Sequence, residues 1–228
     1  MQKRARDYGV NKSAKGRAKR QNTGPAFVKR VQAVIQRSAE TKVCDTYLSP
    51  GGFFNSSPIV NDLCQIAQGT NDINRVGSKI KPVGIVLRYN IITQTGQTAP
   101  IPVRCVIVQD FRQTSSTPAV TDYLKDVNGA SGISTAYLMP KNFENSPNFR
   151  IIFDETKQLG PDLASNGQLS GHKNIISSKA FKDVNFKGTT AALNENSSGR
   201  IFILFMTTQG ASAQPIITYH ARLYFKDY

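Results

Sequence analysis

Tryptophan is absent from this chain, histidine occurs only twice and cysteine three times. Each scarcity removes a class of function. A lectin gathers aromatics, tryptophan above all, against the apolar faces of sugars, and here it would have little to work with. A cupin-type metalloenzyme wants several histidine ligands. His172 and His220 stand far apart with no motif partner, and read as surface or interface residues. Cys44, Cys64 and Cys105 are odd in number and lack CxxC spacing, so neither a disulfide framework nor a zinc site is supported. No GxSxG, HExxH or GxxxxGK[ST] pattern occurs. Asp154-Glu155 is a lone acidic pair at a strand end. Long apolar runs are missing too. The longest, Ile201–Met206, is far too short to cross a bilayer. The N-terminus is charged and carries no apolar stretch of the signal-peptide kind, so the chain is expected to stay inside a cell. Acids are scarce: 15 Asp and Glu face 29 Lys and Arg, a net charge of +14.

The surplus charge sits at one end. Residues 1–30 hold ten Lys or Arg against Asp7 alone, a net +9, while the other 198 residues total only +5. The ten are Lys3, Arg4, Arg6, Lys12, Lys15, Arg17, Lys19, Arg20, Lys29 and Arg30. Residues 1–24 have no apolar periodicity and cannot bury enough surface to fold alone. A disordered arm of this charge density calls for a polyanion, nucleic acid before membrane. Tyr8 is its one ring able to stack on a base, so binding through charge should be blind to sequence. Lys15–Arg20, reading KGRAKR, also has the composition of a nuclear import signal.

From Pro25 the pattern changes. Phe27, Val28, Val31, Val34 and Ile35 fall at helical spacing, so an amphipathic helix is expected over 25–40. It is too short to be stable alone and needs a partner for its stripe. Residues 41–228 read as one all-β domain. Strands are expected at 41–48, 59–66, 80–92, 101–111, 149–157, 173–186, 200–208 and 215–225, with turn residues between them. Gln68–Ile92 begins as a turn rich in Gly, Asn and Asp, then alternates through Val83, Ile85, Leu87, Tyr89 and Ile91. Its strand and the next are expected to form a hairpin around Gly96. Ile201–Met206 is apolar on both faces, as for a central strand beneath a covering loop or a neighbouring molecule. Residues 112–148 make an unusually long connection. Thr117, Pro118, Val120, Tyr123, Leu124 and Val127 predict a helix there, ended by Asn128-Gly129, and 130–148 should cross the outside of the sandwich.

Five stretches then match a known pattern in order. They are QGTNDINRVGSKI at 68–80, TPAVTDYLKDV at 117–127, NFRIIFDETKQL at 148–159, VNFKGTTAALNENSSGRIFILF at 184–205 and HARLYFKDY at 220–228. With a basic arm, a short helix and eight strands, the chain resembles the coat proteins of satellite tobacco necrosis virus. It also resembles the related coats of circular single-stranded DNA viruses that encode a replication initiator. The resemblance implies an all-β, eight-stranded antiparallel jelly roll and a homo-oligomer of sixty copies forming a small T=1 icosahedral shell. It implies a virion protein packaging a single-stranded genome through the arm, with DNA somewhat favoured over RNA, nuclear passage during assembly and no catalytic residues. The departures from the family pattern lie in 130–148 and 160–172, where host recognition is unassigned.

No cofactor is required on this reading. Calcium at subunit contacts is the one candidate ion, because it would relieve repulsion between carboxylates of neighbouring chains. By resemblance, Asp72 in the turn and Asp227 near the C-terminus are best placed to hold it. An Asx turn for Asp72 and a frayed end for Asp227 are the plainer alternatives. The rival readings are a basic jelly-roll module that binds nucleic acid or acts as a lectin-like oligomer, and a cupin-type enzyme. Neither involves a membrane.

Overall fold

The computed structural model describes residues 24, 27, 28, 30, 31, 34, 39–53, 58–113, 115–125, 138–161, 167–176, 179–192, 197–208 and 214–227. The chain divides into two compact units, Met1–Arg37 and Ser38–Tyr228. In the first, Phe27, Val28, Arg30, Val31 and Val34 are helical, and the Phe27 N–H donates to the Gly24 carbonyl at 2.8 Å. The four apolar residues among them are exposed, Val34 most of all at 64%.

The second unit is built of β1 (Thr41–Gly52), β2 (Ile59–Asp62), β3 (Lys79–Ile92), β4 (Ile101–Asp110), the one-turn helix α1 (Val120–Tyr123), β5 (Phe149–Leu159), β6 (Gln168–Ile176), β7 (Val184–Asn185), β8 (Arg200–Thr207) and β9 (Ile216–Asp227). One sheet runs β1-β9-β3-β6, with the short β7 also on β3; the other runs β2-β8-β4-β5. Every strand pair is antiparallel. With β7 set aside, the strands nest as β1 with β9, β2 with β8, β3 with β6 and β4 with β5. That is a long hairpin rolled on itself, a jelly roll.

The expected hairpin between β3 and β4 does not form. β3 lies between β9 and β6 in one sheet, and β4 lies between β8 and β5 in the other. Burial explains the separation. β3 keeps one partly exposed face with Val86, Arg88 and Asn90, whereas Val103–Asp110 of β4 is buried without a break. A strand buried on both faces must be central in a sheet covered on both sides. The segment expected as one strand over 173–186 is instead two, β6 beginning at Gln168 and the two-residue β7. Pro82 and Gly84 flank a register shift between β3 and β9, a position where proline's missing donor and a bend are tolerated.

The main core lies between the sheets. Ile85, Leu87, Tyr89 and Ile91 of β3, with Tyr219, Leu223 and Phe225 of β9, meet Ile201, Ile203 and Phe205 of β8. Phe205 sits among Phe53, Tyr89 and Tyr219, with ring centroids 5.5–6.4 Å away. The three cysteines are free and buried, and burial pushes the Cys44 thiol up to about 11.

A second apolar cluster occupies the outside of the β2-β8-β4-β5 sheet. There Phe202, Leu204, Met206, Val106 and Val108 are covered by Val120, Tyr123, Leu124, Met139 and Phe149. The long connection is therefore the cover that the two-faced β8 needs, and no neighbouring molecule is required. Arg104 fastens it, donating to the Met139 carbonyl at 2.8 Å while its fork grips Asp154 at 2.6 and 2.7 Å. The expected helix shortens to α1, whose Asp122 carboxylate accepts the Ala119 N–H; Thr117 is not its cap. Val127 and Asn128-Gly129 lie outside the described residues.

β8 opens on a buried ion pair. Arg200 and Asp62 are 2% and 3% exposed and in direct contact. Arg200 also donates to the carbonyls of Cys64, Ala191 and Ala192. Gly199 just before it has φ +78°, and a Cβ there would stand 2.4 Å from the Asp183 carbonyl oxygen, so the approach to this pair needs glycine. Replacing one member of such a pair leaves the other charge buried without its counter-ion. Asp62→Ala should lower stability by about 3–5 kcal/mol, read by denaturant melting. A loss below about 1 kcal/mol, the range of surface pairs, would show that the pair does not hold β2 to β8.

Candidate functional site

Of the ten basic residues expected to bind nucleic acid, Arg30 is described; it is helical and exposed. Lys3, Arg4, Arg6, Lys12, Lys15, Arg17, Lys19, Arg20 and Lys29 lie outside the described residues.

The turn ahead of β3 is organised by a residue that sequence reasoning did not single out. Arg75 is 1% exposed. Its guanidinium donates to the carbonyls of Ile66, at 3.2 Å, Gly77, at 2.6 Å, and Gly188, and lies 4.3 Å from the centre of the Phe186 ring. Around it the Gly69 N–H donates to the Arg75 carbonyl and the Arg75 N–H to that of Ala67. An arginine satisfied by backbone carbonyls can be buried because its fixed fork of donors is nearly used up. The polar spelling of 68–78 is thus that of a turn wrapped around one cation, and the visible clue was an arginine amid Gly and Asn.

Asp72 and Asp227, the two candidate ion ligands, line one cavity of about 490 Å³ together with Glu40, Lys42 and Thr70. Sequence reasoning missed Glu40 and Lys42, which no local motif connects to either aspartate. The Asp227 carboxylate accepts from the Val76 and Gly77 N–H groups and stands 3.5 Å from the Lys42 ammonium. Lys42 in turn donates to the Asn74 carbonyl at 3.0 Å. Asp227 is thereby a tie between the end of β9 and the turn, not a frayed end. The backbone carbonyl of Asp72 accepts the Val43 N–H at 3.4 Å. Among the described residues, no three His, Cys, Asp or Glu side chains are grouped so as to hold a metal ion.

Both histidines lie on the outer side of the β1-β9-β3-β6 sheet. His220 Nε2 is 3.2 Å from Asp45. That carboxylate is also gripped by Arg222 at 2.7 and 2.8 Å, and the hydrogen bond from Arg222 holds Asp45 below the usual carboxylate range. Glu155 pairs with Lys173 at 2.7 Å across the two sheets, and Asp154 with Arg104. Among the described acids, Asp45, Asp62, Asp154, Glu155 and Asp227 tie strands and loops together.

The coat protein of satellite tobacco necrosis virus 2 is 21% identical over 189 residues, which cover 82% of this chain and 88% of that one. Among solved structures, one of infectious bursal disease virus, Gx strain, overlaps 82% of this chain and 37% of its own at 7% identity, with a TM-score of 0.29. The family model described as satellite tobacco necrosis virus coat protein matches residues 12–227, nearly the whole jelly roll and half the basic arm, and the chain belongs to that family of viral coat proteins.

Proposed function

We propose that this coat protein assembles into a closed shell of sixty copies around a single-stranded genome, DNA in preference to RNA, and neutralises that genome with its N-terminal arm. One observation carries the reading: residues 1–30 hold +9 of the chain's +14. Sixty such arms bring on the order of 540 positive charges to a strand with one negative charge per nucleotide. The exposed stripe of Phe27, Val28 and Val31 supports a helix that packs against its copies in neighbouring subunits. The role is structural, with binding in place of catalysis. KGRAKR at 15–20 fits passage through a nucleus when the genome is replicated there.

If every basic residue of one arm met a phosphate, log affinity would fall against log salt with a slope of roughly −7, at about −0.7 per single-strand contact. Partial engagement gives an expected slope between about −3 and −7. Deleting residues 1–24 removes eight of the ten basic groups. Shells of the truncated chain should be empty or nearly so, measured as nuclease-protected nucleic acid per particle. Packaging at the full-length level would overturn the arm's role.

Calcium belongs to the same reading as a bridge between copies, with Glu40 and Asp72 of one chain offered to a neighbour. The tie made by Asp227 predicts a different signature. Losing hydrogen bonds to a charged group costs about 1.5–3 kcal/mol, so Asp227→Asn should lower melting in chelator and in calcium alike. A bridging ion would instead make wild-type particles melt higher in millimolar calcium than in chelator. Equal wild-type melting in both removes calcium from the account.

A further inference from the structure

One end of the β1-β9-β3-β6 sheet carries opposite charges on its two flanks, and strand register sets the order there. Lys226 of β9 is paired with Thr41 of β1, Asp227 with Ile80 of β3, and Ile80 on its other side with Val184 of β7. This end therefore runs β1-β9-β3-β7, and three strand spacings put its flanks about 14 Å apart. Beyond β1 lie Glu40, which precedes Thr41, and Asp72, whose carbonyl accepts the Val43 N–H on the free edge of β1. Both acids are exposed, and among the described residues neither carboxylate has a hydrogen-bond or ion-pair partner. Lys42 and Asp227 beside them offset one another at 3.5 Å. Ile73 and Val76 stand out from the same turn, 60% and 59% exposed. Beyond β7 the sign reverses. Lys182, two residues before Val184, is exposed and lies 4.2 Å from the centre of the Phe111 ring. It lines a cavity of about 520 Å³ with Phe111, Phe181, Lys79 and Asp183, the last two paired at 2.7 Å.

Resting on the shell reading above, we propose that these flanks are the two halves of one subunit contact, in which the turn at Asp72 and Ile73 of one copy enters the Lys182 cavity of the next. The Lys182 ammonium would meet the Glu40 and Asp72 carboxylates, and the rings of Phe111 and Phe181 would receive Ile73. An exposed isoleucine beside two carboxylates asks for a partner that is apolar and cationic at once. The cavity is both. Lysine from a neighbour supplies, against Glu40 and Asp72, the positive charge that an ion bridge would otherwise bring. Lys182 is also suited to be shared this way, because its exposed head leaves only a ring contact behind when it turns to a carboxylate.

Position selects a second copy of the chain as the occupant. Complementary surfaces on opposite flanks of one body make a heterologous contact, and such contacts repeat head to tail until a ring closes. A copy that offers its turn to one neighbour keeps its lysine flank open for another. The charges also fix which flanks can meet. A two-fold pairing through this end would bring acids to acids or lysines to lysines, and such like-charge juxtaposition is rejected.

The test uses the full chain and its shells in chelator, so that no ion can bridge the acids. Asp72→Lys and Lys182→Glu should each raise the concentration needed for assembly by at least about tenfold, the scale of a broken charge pair at an interface. Subunit melting should stay unchanged in both. The double variant restores opposite charges and should assemble near the wild-type concentration. A second measurement needs no variant. Shells built from equal parts of heavy-nitrogen and ordinary chains, treated with a carbodiimide that joins carboxylates to amines, should yield peptides linking Glu40 or Asp72 to Lys182 with mixed labels. Links within one label only, links from Asp72 to a lysine of the basic arm, or single variants that assemble like the wild type would overturn this contact. A double variant no better than the worse single, or a wild type that assembles only when calcium is restored, overturns it equally. A wild type that forms no closed shell in either condition would remove the shell reading itself.

Discussion

β8 imposes the requirement that the rest of the fold meets. All eight of its residues, Arg200–Thr207, are buried. A strand alternates its side chains across the sheet, so burying all of them demands apolar cover on both sides. β3 and β9 supply one cover through Phe205, Ile203 and Ile201. The other comes from the chain itself, through α1 and the segment around Met139. Arg104 and Arg112 fasten that cover. Arg112 joins Asp110 to Asp122 and lies 4.4 Å from the Phe149 ring centre, so cations sit at the margin of an apolar layer and keep it closed.

The two sheets consequently have different outer sides. One is sealed by a loop of its own chain. On the other, among the described residues, the strands alternate between a core face and a polar face that carries Arg88, Asn90, His172, His220 and Arg222. This asymmetry arises from strand register, not from any contiguous motif. Among the described residues of its strands, Asp45 is this side's one acid, and it is gripped by Arg222 and His220.

Much of this was legible in the sequence, for physical reasons. The strand expected at 215–225 is β9, whose core face carries Ile217, Tyr219, Ala221, Leu223 and Phe225. The two-faced run at 201–206 called for a cover, and the length of 112–148 supplied a candidate for it. Local pattern says which face of a strand is buried but not which strand lies beside it, and so β3 and β4 were joined in a hairpin they do not form. β6 was misplaced because Ser170, Gly171 and His172 spell an edge strand in residues common to loops. Arg75 escaped notice because its burial depends on carbonyls from Ile66 and Gly188, which are distant in sequence. Arg88 stands opposite His172 on one side and His220 on the other, and no local pattern joins the three. Only register made them neighbours.

The central claim is that the basic N-terminal segment, with +9 of the chain's +14, meets the genome inside a shell. A cryo-electron microscopy reconstruction of the purified particle, resolved well enough to trace β3 and β9, measures this directly. The account predicts genome density on the lumen side of the shell, continuous with the N-terminal segment of the chain. A shell whose N-terminal segments emerge on the outer surface, or whose genome density lies away from them, would contradict it.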